Sequence, residues 1–521
     1  MWVEVLLALV SVATAAYLYI KRRIGWFKSH GICEHDFSFP GGCTEVNSAF
    51  AGKMSFIRVT SAIYEKQKDK KMVGLHGMLG LDRSIILIDL DLIKQIFVKD
   101  FDYFTNKEKM DFGNKYINSA LFALEGETWR RARHASTPVF TSGKLRKMSR
   151  LMKKVAHDLV AQLDKFASTG EDVDACDLSL KFTVTVIANA GFGIDANAFE
   201  PQGEKFYKMA RKIAGTDRTV WDIFKIIGSF LLAKLLPKMK MSFLDTDTVN
   251  FFNDIIDQRL KMRNTEAAKR NDMVDLFTET MMGNVAENEY KSEVSQDLEG
   301  SELSKPKKFT EEEMDCILRG NLFAMFFAGM ELPANMMSGC IFFLAKNQDI
   351  QERLFQEVTE ANLDEQLEYD TIMKLPYLDM VVREAMRHNG SVDPNLVCSR
   401  DYAVPGTDIT IPKGTRVLFS TYGISMDDRY FPNPTEFNPE HFNPTNKEKR
   451  SSTTDVVFSL GPRQCIGNRF AILQFKTGIA NMVNKFRILP ATRLPEKYEV
   501  DPKAGSLKIK GGIWVKFERR E

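Results

Sequence analysis

Residues 458–467 read FSLGPRQCIG, and this run constrains the chain more than any other. Gly461 stands four residues before Cys465 and Gly467 two after it, with Phe458 and Arg463 at fixed offsets. Glycines so placed permit a tight turn that approaches a bound group closely and aims backbone N–H groups at the sulfur. A cysteinate that ligates haem iron needs such a turn, together with an apolar ring to shield the thiolate and a cation for a propionate. Phe458, Gly461, Arg463 and Gly467 fit those roles around Cys465. A cysteine taken alone is more often an inert buried residue, so the spacing of all five residues carries the reading.

The rest of the composition sets the frame. With 44% hydrophobic and 27% charged residues, the 521-residue chain can bury a large core, which excludes general disorder and collagen-like repeats. Length alone suggests three domains at about 150 residues each. The 71 Lys+Arg against 69 Asp+Glu leave no basic footprint, so no nucleic-acid partner is expected. The seven cysteines (33, 43, 176, 316, 340, 398 and 465) show no CxxC or zinc-like spacing. An odd, sparse set points to a reducing compartment.

Residues 3–20, VEVLLALVSVATAAYLYI, are apolar apart from Glu4 and a few small polar residues. About 20 such residues cross a bilayer core as a helix. Lys21, Arg22 and Arg23 follow at once, then Trp26 and Phe27, which places the remainder of the chain in the cytosol. A cleaved signal peptide normally carries its basic residues before the apolar run. The expected organisation is a membrane anchor helix over 1–20, a basic hinge linker over 21–40, and a catalytic domain over 41–521.

Within that domain, residues 224–236 (FKIIGSFLLAKLL) suit either a buried helix or a surface helix dipping into the membrane. Residues 284–308 are polar and charge-rich, a solvated loop. Thr310 followed by Glu313 forms a capping box that predicts a long helix through ILRGNLFAMFFAG towards FFLAKN, apolar on all sides and hence central. A second helix is predicted after Leu375, with Pro376 in its first turn. Strand-like runs occupy 84–90, 404–420 and 507–518, so the balance is mainly α with a minor β region.

The run around Cys465 resembles the haem-binding signature F-x-x-G-x-R-x-C-x-G of the cytochrome P-450 family. Further motifs follow in family order. Trp129-Arg-Arg-Ala-Arg133 resembles its W-x-x-x-R motif, implying that Trp129 and Arg133 contact a haem propionate. Glu384-Ala-Met-Arg387 is similar to its E-x-x-R motif, whose spacing puts both side chains on one helix face. Residues 437–442, FNPEHF, resemble its P-E-R-F stretch, with His441 replacing the Arg. The resemblance implies a structural ion-pair cluster of Glu384, Arg387 and His441. FTSGKLRKM (140–148) and GPRQCIGNRFA (461–471) look like the microsomal branch that contains vertebrate drug-oxidising and insect detoxifying enzymes. The implied architecture is the cytochrome P-450 fold, a triangular prism around a buried haem b (iron protoporphyrin IX), with an N-terminal transmembrane helix. A single prism overrides the three-domain prior.

The implied activity is monooxygenation: one oxygen atom from O₂ enters a lipophilic small molecule. Electrons would come from NADPH through NADPH-cytochrome P-450 reductase, with cytochrome b5 as a further partner, at the endoplasmic reticulum membrane facing the cytosol. The thiolate of Cys465 would favour O–O cleavage. Protons usually arrive through an acid–alcohol pair in the pattern A/G-G-x-D/E-T. Here Ala328, Gly329 and Glu331 stand as the catalytic candidates, but Leu332 replaces the alcohol and can neither donate nor accept. Pro333 has no N–H, so in a continuous helix the Gly329 carbonyl loses its partner and is expected to hold a relay water beside Glu331. Leu332 also keeps two alternatives open: a redox-neutral lipid-hydroperoxide isomerase or dehydratase, and a weakly active haem- and lipid-binding member.

Other departures from the family are Gly390, where Pro is common, and Leu396, where an Arg often reaches a propionate. The implied substrate-facing regions are 106–122, 224–236 and 323–327, whose Phe, Leu and Ile suit a lipophilic ligand. Phe323, Phe326 and Phe327 suit a plain core equally well. Lys144, Arg146, Lys147, Arg469 and Lys476 offer cations to an acidic reductase or simply form a solvated face.

Overall fold

A computed structural model describes residues 10–11, 14, 17–19, 21, 24–80, 82–109, 111–214, 246–262, 272–281, 309–361, 369–504 and 507–521. The segments 224–236 and 284–308, and most of 3–20, lie outside these residues. The principal elements in chain order are α1 (Thr44–Phe50), α2 (Val59–Lys66), β1 (Met72–His76), β2 (Arg83–Leu87), α3 (Gly126–Ser136), α4 (Ser142–Thr169), β3 (Val173–Asp174), α5 (Ala175–Val186), α6 (Glu204–Ala214), α7 (Thr246–Met262), α8 (Met273–Met281) and α9 (Glu311–Lys346). They continue with α10 (Gln348–Glu360), α11 (Pro376–Asn389), β4 (Asn395–Val397), β5 (Tyr402–Ala403), β6 (Thr410–Ile411), β7 (Arg416–Phe419), α12 (Asn468–Lys485), β8 (Phe486–Pro490) and β9 (Trp514–Arg519). The chain is thus mainly helical with a small sheet region. These residues form two compact units, one of residues 1–108, 392–432 and 451–463, the other of 109–391, 433–450 and 464–521.

The first unit is built on a four-stranded sheet in the order β1-β2-β7-β4. β2 and β7 run parallel, with Ile86 opposite Leu418, while β1 and β4 pair antiparallel at the edges. Ile85, Ile86, Leu87, Val417 and Phe419 are all buried, the near-continuous apolar pattern of strands covered on both faces. The strand expected over 84–90 stops at Leu87, because the Asp89 carboxylate accepts the Leu92 N–H (2.9 Å) and caps a helical turn there. The run over 404–420 divides into β6 and β7 around Gly414, whose φ of +81° makes the turn. α2 is held by Tyr64, whose hydroxyl donates to Asp427 (2.8 Å), and by the Arg58 guanidinium lying 3.3 Å over the Tyr422 ring.

The second unit is organised around α9. Its capping box forms as the sequence predicts: the Glu313 N–H donates to the Thr310 hydroxyl, and the Thr310 N–H to the Glu313 carboxylate. Three glutamates in the first turn complement the helix dipole. α5, α11 and α12 pack against α9, which accounts for its apolar residues on every side. Among the described residues it is the one helix long and apolar enough to cross a membrane, and most of it is buried inside the protein. α11 begins at Pro376, as expected. The strand expected over 507–518 starts only at Trp514, since Gly511 and Gly512 both take positive φ in a turn.

The phenylalanines of α9 divide clearly. Phe326 is fully buried against Phe192, Phe206 and Phe252, and Phe323 packs on Phe252. Phe327 is 41% exposed, and Ala328 beside it is exposed too. Only Phe327 of the three therefore presents its ring outward.

Candidate functional site

The loop carrying Cys465 is shaped by backbone that few residues tolerate. Gly461 has φ +69°, and a Cβ there would sit 1.9 Å from the Phe97 carbonyl oxygen, so only glycine fits. Ser459 also takes a left-handed conformation (φ +65°), a local cost that nothing in the sequence signals. Arg463 is buried and its Nε donates to the Thr105 carbonyl (3.0 Å). Between Arg463 and Gln464 the chain passes from the first unit to the second.

Cys465 lies just beyond that crossing, and its side chain is exposed, whereas Cys43, Cys340 and Cys398 are buried. Gly467 caps α12, which starts three residues after the cysteine. The positive end of the α12 dipole therefore favours negative charge on the segment that leads into it.

Nine residues further on, α12 meets the acid-bearing stretch of α9. Pro333 sits inside the continuous helix α9 and leaves the Gly329 carbonyl without its usual donor. That carbonyl faces the amide of Gln474, with Nε2 3.5 Å away. Gln474 is fully buried, and its Oε1 has no partner among the described residues. One residue along, the Met330 carbonyl accepts from Thr183 Oγ1 (2.9 Å). A side chain at Gly329 would strike Ile187 at 2.6 Å, so this glycine permits the close approach of the neighbouring turn. Glu331 and Leu332 are both half-buried. Thr183 and Gln474 were invisible to motif reading, because their roles depend on contacts distant in sequence.

The E-x-x-R pair is fully formed. Arg387 grips Glu384 through two parallel bonds (2.8 and 2.7 Å), and Glu384 also accepts from the Asn438 N–H (2.8 Å) and lies 3.2 Å from His441 Nδ1. The remaining Arg387 donors reach the carbonyls of Pro434 and Glu436, and His388 joins the cluster. Burial alone would raise the Glu384 pKa. Hydrogen bonds from Arg387, His388 and His441 outweigh that and hold it well below the usual carboxylate range. His388 and Asn438 are members the motif did not name.

Trp129 and Arg133 are buried together one turn apart on α3. Between them Arg131 stacks 4.0 Å over Phe309, with Nε and one Nη buried and without a hydrogen-bond partner among the described residues. Asn321 of α9 ties in the approach to α3, accepting from the Leu121 N–H (2.8 Å). Leu396 is buried in the edge strand β4 opposite Val417. The basic residues offered to a reductase divide. Lys476 is buried, 2.8 Å from Asp379, and burial pulls its pKa down, so it forms no surface. Lys144 pairs with Glu279, and Arg146 is bidentate on Asp370.

Comparison with known proteins identifies the family of the whole chain. The cytochrome P450 family profile matches residues 63–517. Cytochrome P450 6B7 of Helicoverpa armigera is 31% identical, covering 100% of this chain and 99% of its own length. Cytochrome P450 6B1 of Papilio polyxenes is 30% identical over 99% of each chain. Probable cytochrome P450 9f2 of Drosophila melanogaster is 30% identical over 98% of this chain and 99% of its own. A glycine-framed cysteine before α12, a buried E-x-x-R clamp and full-length similarity to insect relatives converge on one conclusion: the chain belongs to the cytochrome P450 family and is a haem-dependent monooxygenase.

Proposed function

We propose that Cys465 is the axial ligand of a haem b, and that the protein oxygenates a lipophilic small molecule with NADPH electrons delivered by a partner reductase. The observation that carries this reading is the exposed Cys465 side chain on a glycine-shaped loop leading directly into α12. The donor set of the second unit fits the group: the Cys465 thiol for iron and the buried guanidinium of Arg133 for a carboxylate. When bound, the haem supplies oxygen activation, which an axial thiolate promotes.

The chain's own residues do the rest. Gly461 and Gly467 let the loop approach, Phe458 shields the sulfur, and Trp129 with Arg133 seats a propionate. Phe327 and Ala328 turn an apolar surface outward that suits a lipophilic substrate. Glu331 holds a proton. The buried Gln474 amide offers the polar atoms that Leu332 lacks. Glu384, Arg387 and His441 fix residues 433–442 against α11. The described residues between 10 and 24 include Val10, Tyr17, Leu18 and Tyr19, all helical and exposed, which supports an N-terminal anchor in the endoplasmic reticulum membrane with the body in the cytosol.

The test is spectroscopic first. Reduced protein under carbon monoxide should show thiolate-type absorption that Cys465→Ser abolishes, and its survival in the variant overturns the ligand assignment. Product formation from a lipophilic panel should then require NADPH and reductase together. Rapid redox-neutral conversion of a polyunsaturated fatty-acid hydroperoxide without NADPH would favour the isomerase reading that Leu332 keeps in view.

A further inference from the structure

In the first unit, away from the loop of Cys465, three buried side chains of different chemistry converge. His35, Cys43 and Glu45 bring Nε2, Sγ and a carboxylate oxygen within 4.8 Å of one another. His35 Nε2 lies 2.9 Å from Glu45 Oε2. Burial is nearly complete, with Cys43 at 0% and Glu45 at 2% exposure.

The backbone holds this cluster in place. His35 is fixed to β1, its N–H donating to the Gly74 carbonyl (2.8 Å). Cys43 is the N-cap of α1, and Glu45 lies in that helix's first turn. The intervening loop is pinned by Asn47, whose side chain accepts from the Gly41 N–H (2.8 Å) and donates to Ser38 Oγ (2.9 Å). Gly42, at φ +95°, lies so close to β1 that a Cβ would fall 2.2 Å from the His76 carbonyl oxygen. A cation already touches the cluster: the Lys66 ammonium is 2.5 Å from Glu45 Oε1, while its side chain remains 59% exposed.

We infer that His35, Cys43 and Glu45 form a zinc site. One thiolate, one imidazole and one carboxylate are a ligand set that Zn²⁺ accepts, with water in the fourth position. Bonds of about 2.0 Å to N and O and about 2.3 Å to S place tetrahedral ligand atoms roughly 3.3–3.6 Å apart. His35 and Glu45, at 2.9 Å, need only move apart by a few tenths of an ångström to reach that spacing, and Cys43 Sγ, within 4.8 Å of both, closes in by a rotation of its side chain. Binding moves the His35 ring proton from Nε2 to Nδ1, and the Nδ1–H then donates to the side-chain oxygen of Gln67, whose amide lies 3.3 Å away and turns over. The Cys43 thiol proton leaves to the solvent, and Lys66 swings into water. A dication with one thiolate and one carboxylate leaves the buried centre neutral. The ligands follow the spacing H-x₇-C-x-E, which matches no familiar zinc pattern; folding brings them together.

The test uses the full-length, haem-loaded protein equilibrated with Zn²⁺ and dialysed against a weak chelator, with bound metal counted by mass spectrometry. One zinc should be retained, and X-ray absorption at the zinc edge should show a single sulfur neighbour at about 2.3 Å. Cys43→Ser and His35→Gln should each weaken binding at least 100-fold, while Cys33→Ser, at an exposed neighbour, should leave it unchanged. Lys66→Met removes the competing ammonium without touching a ligand and should tighten binding about tenfold. This variant and the absorption spectrum keep the inference falsifiable should a ligand variant fail to fold. Absence of retained zinc, a spectrum without sulfur, equal affinity in both ligand variants, or no gain with Lys66→Met would overturn it.

Discussion

Gly390 illustrates how one position departs from a family habit for a geometric reason. It ends α11 at φ +72° and ψ −175°, and its N–H donates to the Met386 carbonyl (3.0 Å). Proline is locked near φ −65° and has no N–H, so neither the conformation nor the bond is open to it. Gly390→Pro, although it restores the commoner family residue, should destabilise the protein by about 3 kcal/mol, read from urea unfolding. Much at this scale was legible in the sequence. Gly461 makes the tight turn that its spacing implied, and both members of the E-x-x-R pair lie where helical periodicity puts them. What escaped were properties that only burial decides. Phe323, Phe326 and Phe327 look alike in sequence, yet only Phe327 is exposed. Lys476 reads as a surface charge and proves to be an interior ion pair with Asp379.

Helices with explicit end signals could be read well, and strands less so. The Thr310 capping box and Pro376 fixed the starts of α9 and α11, because each satisfies or removes an N–H of the first turn. The strand runs were overextended at Asp89, Gly414 and Gly511, where local capping or positive φ ends a strand without altering hydrophobicity. The clamp between α11 and residues 433–442 carries a pH signature. Glu384 titrates below its unfolded value, about 4.3, so its stabilising contribution is complete above that value and fades as pH falls through and below it. Denaturant unfolding from pH 7 down to 3 should therefore show a steep acid loss. Glu384→Gln should flatten that loss while costing about 3–5 kcal/mol at pH 7, since it leaves Arg387 charged and buried.

For the whole molecule, the consequences concern where it resides and how it is made. If residues 1–24 anchor the protein, removing them should move it from the membrane pellet to the soluble fraction while the carbon monoxide spectrum persists. Retention in the pellet would place the attachment elsewhere. Nothing in a motif fixes such partitioning; it follows from exposed apolar area. α9 adds a complication during synthesis. If the chain is made at a membrane, this helix emerges before β7, α12 or the cysteine loop exist to cover it, and its composition then competes for lateral entry into lipid. Glu331, near its midpoint, opposes that entry by about 2.5–3.5 kcal/mol on insertion scales. The carboxylate two residues beyond the Gly329 carbonyl thus opposes entry of the uncovered central helix into a bilayer.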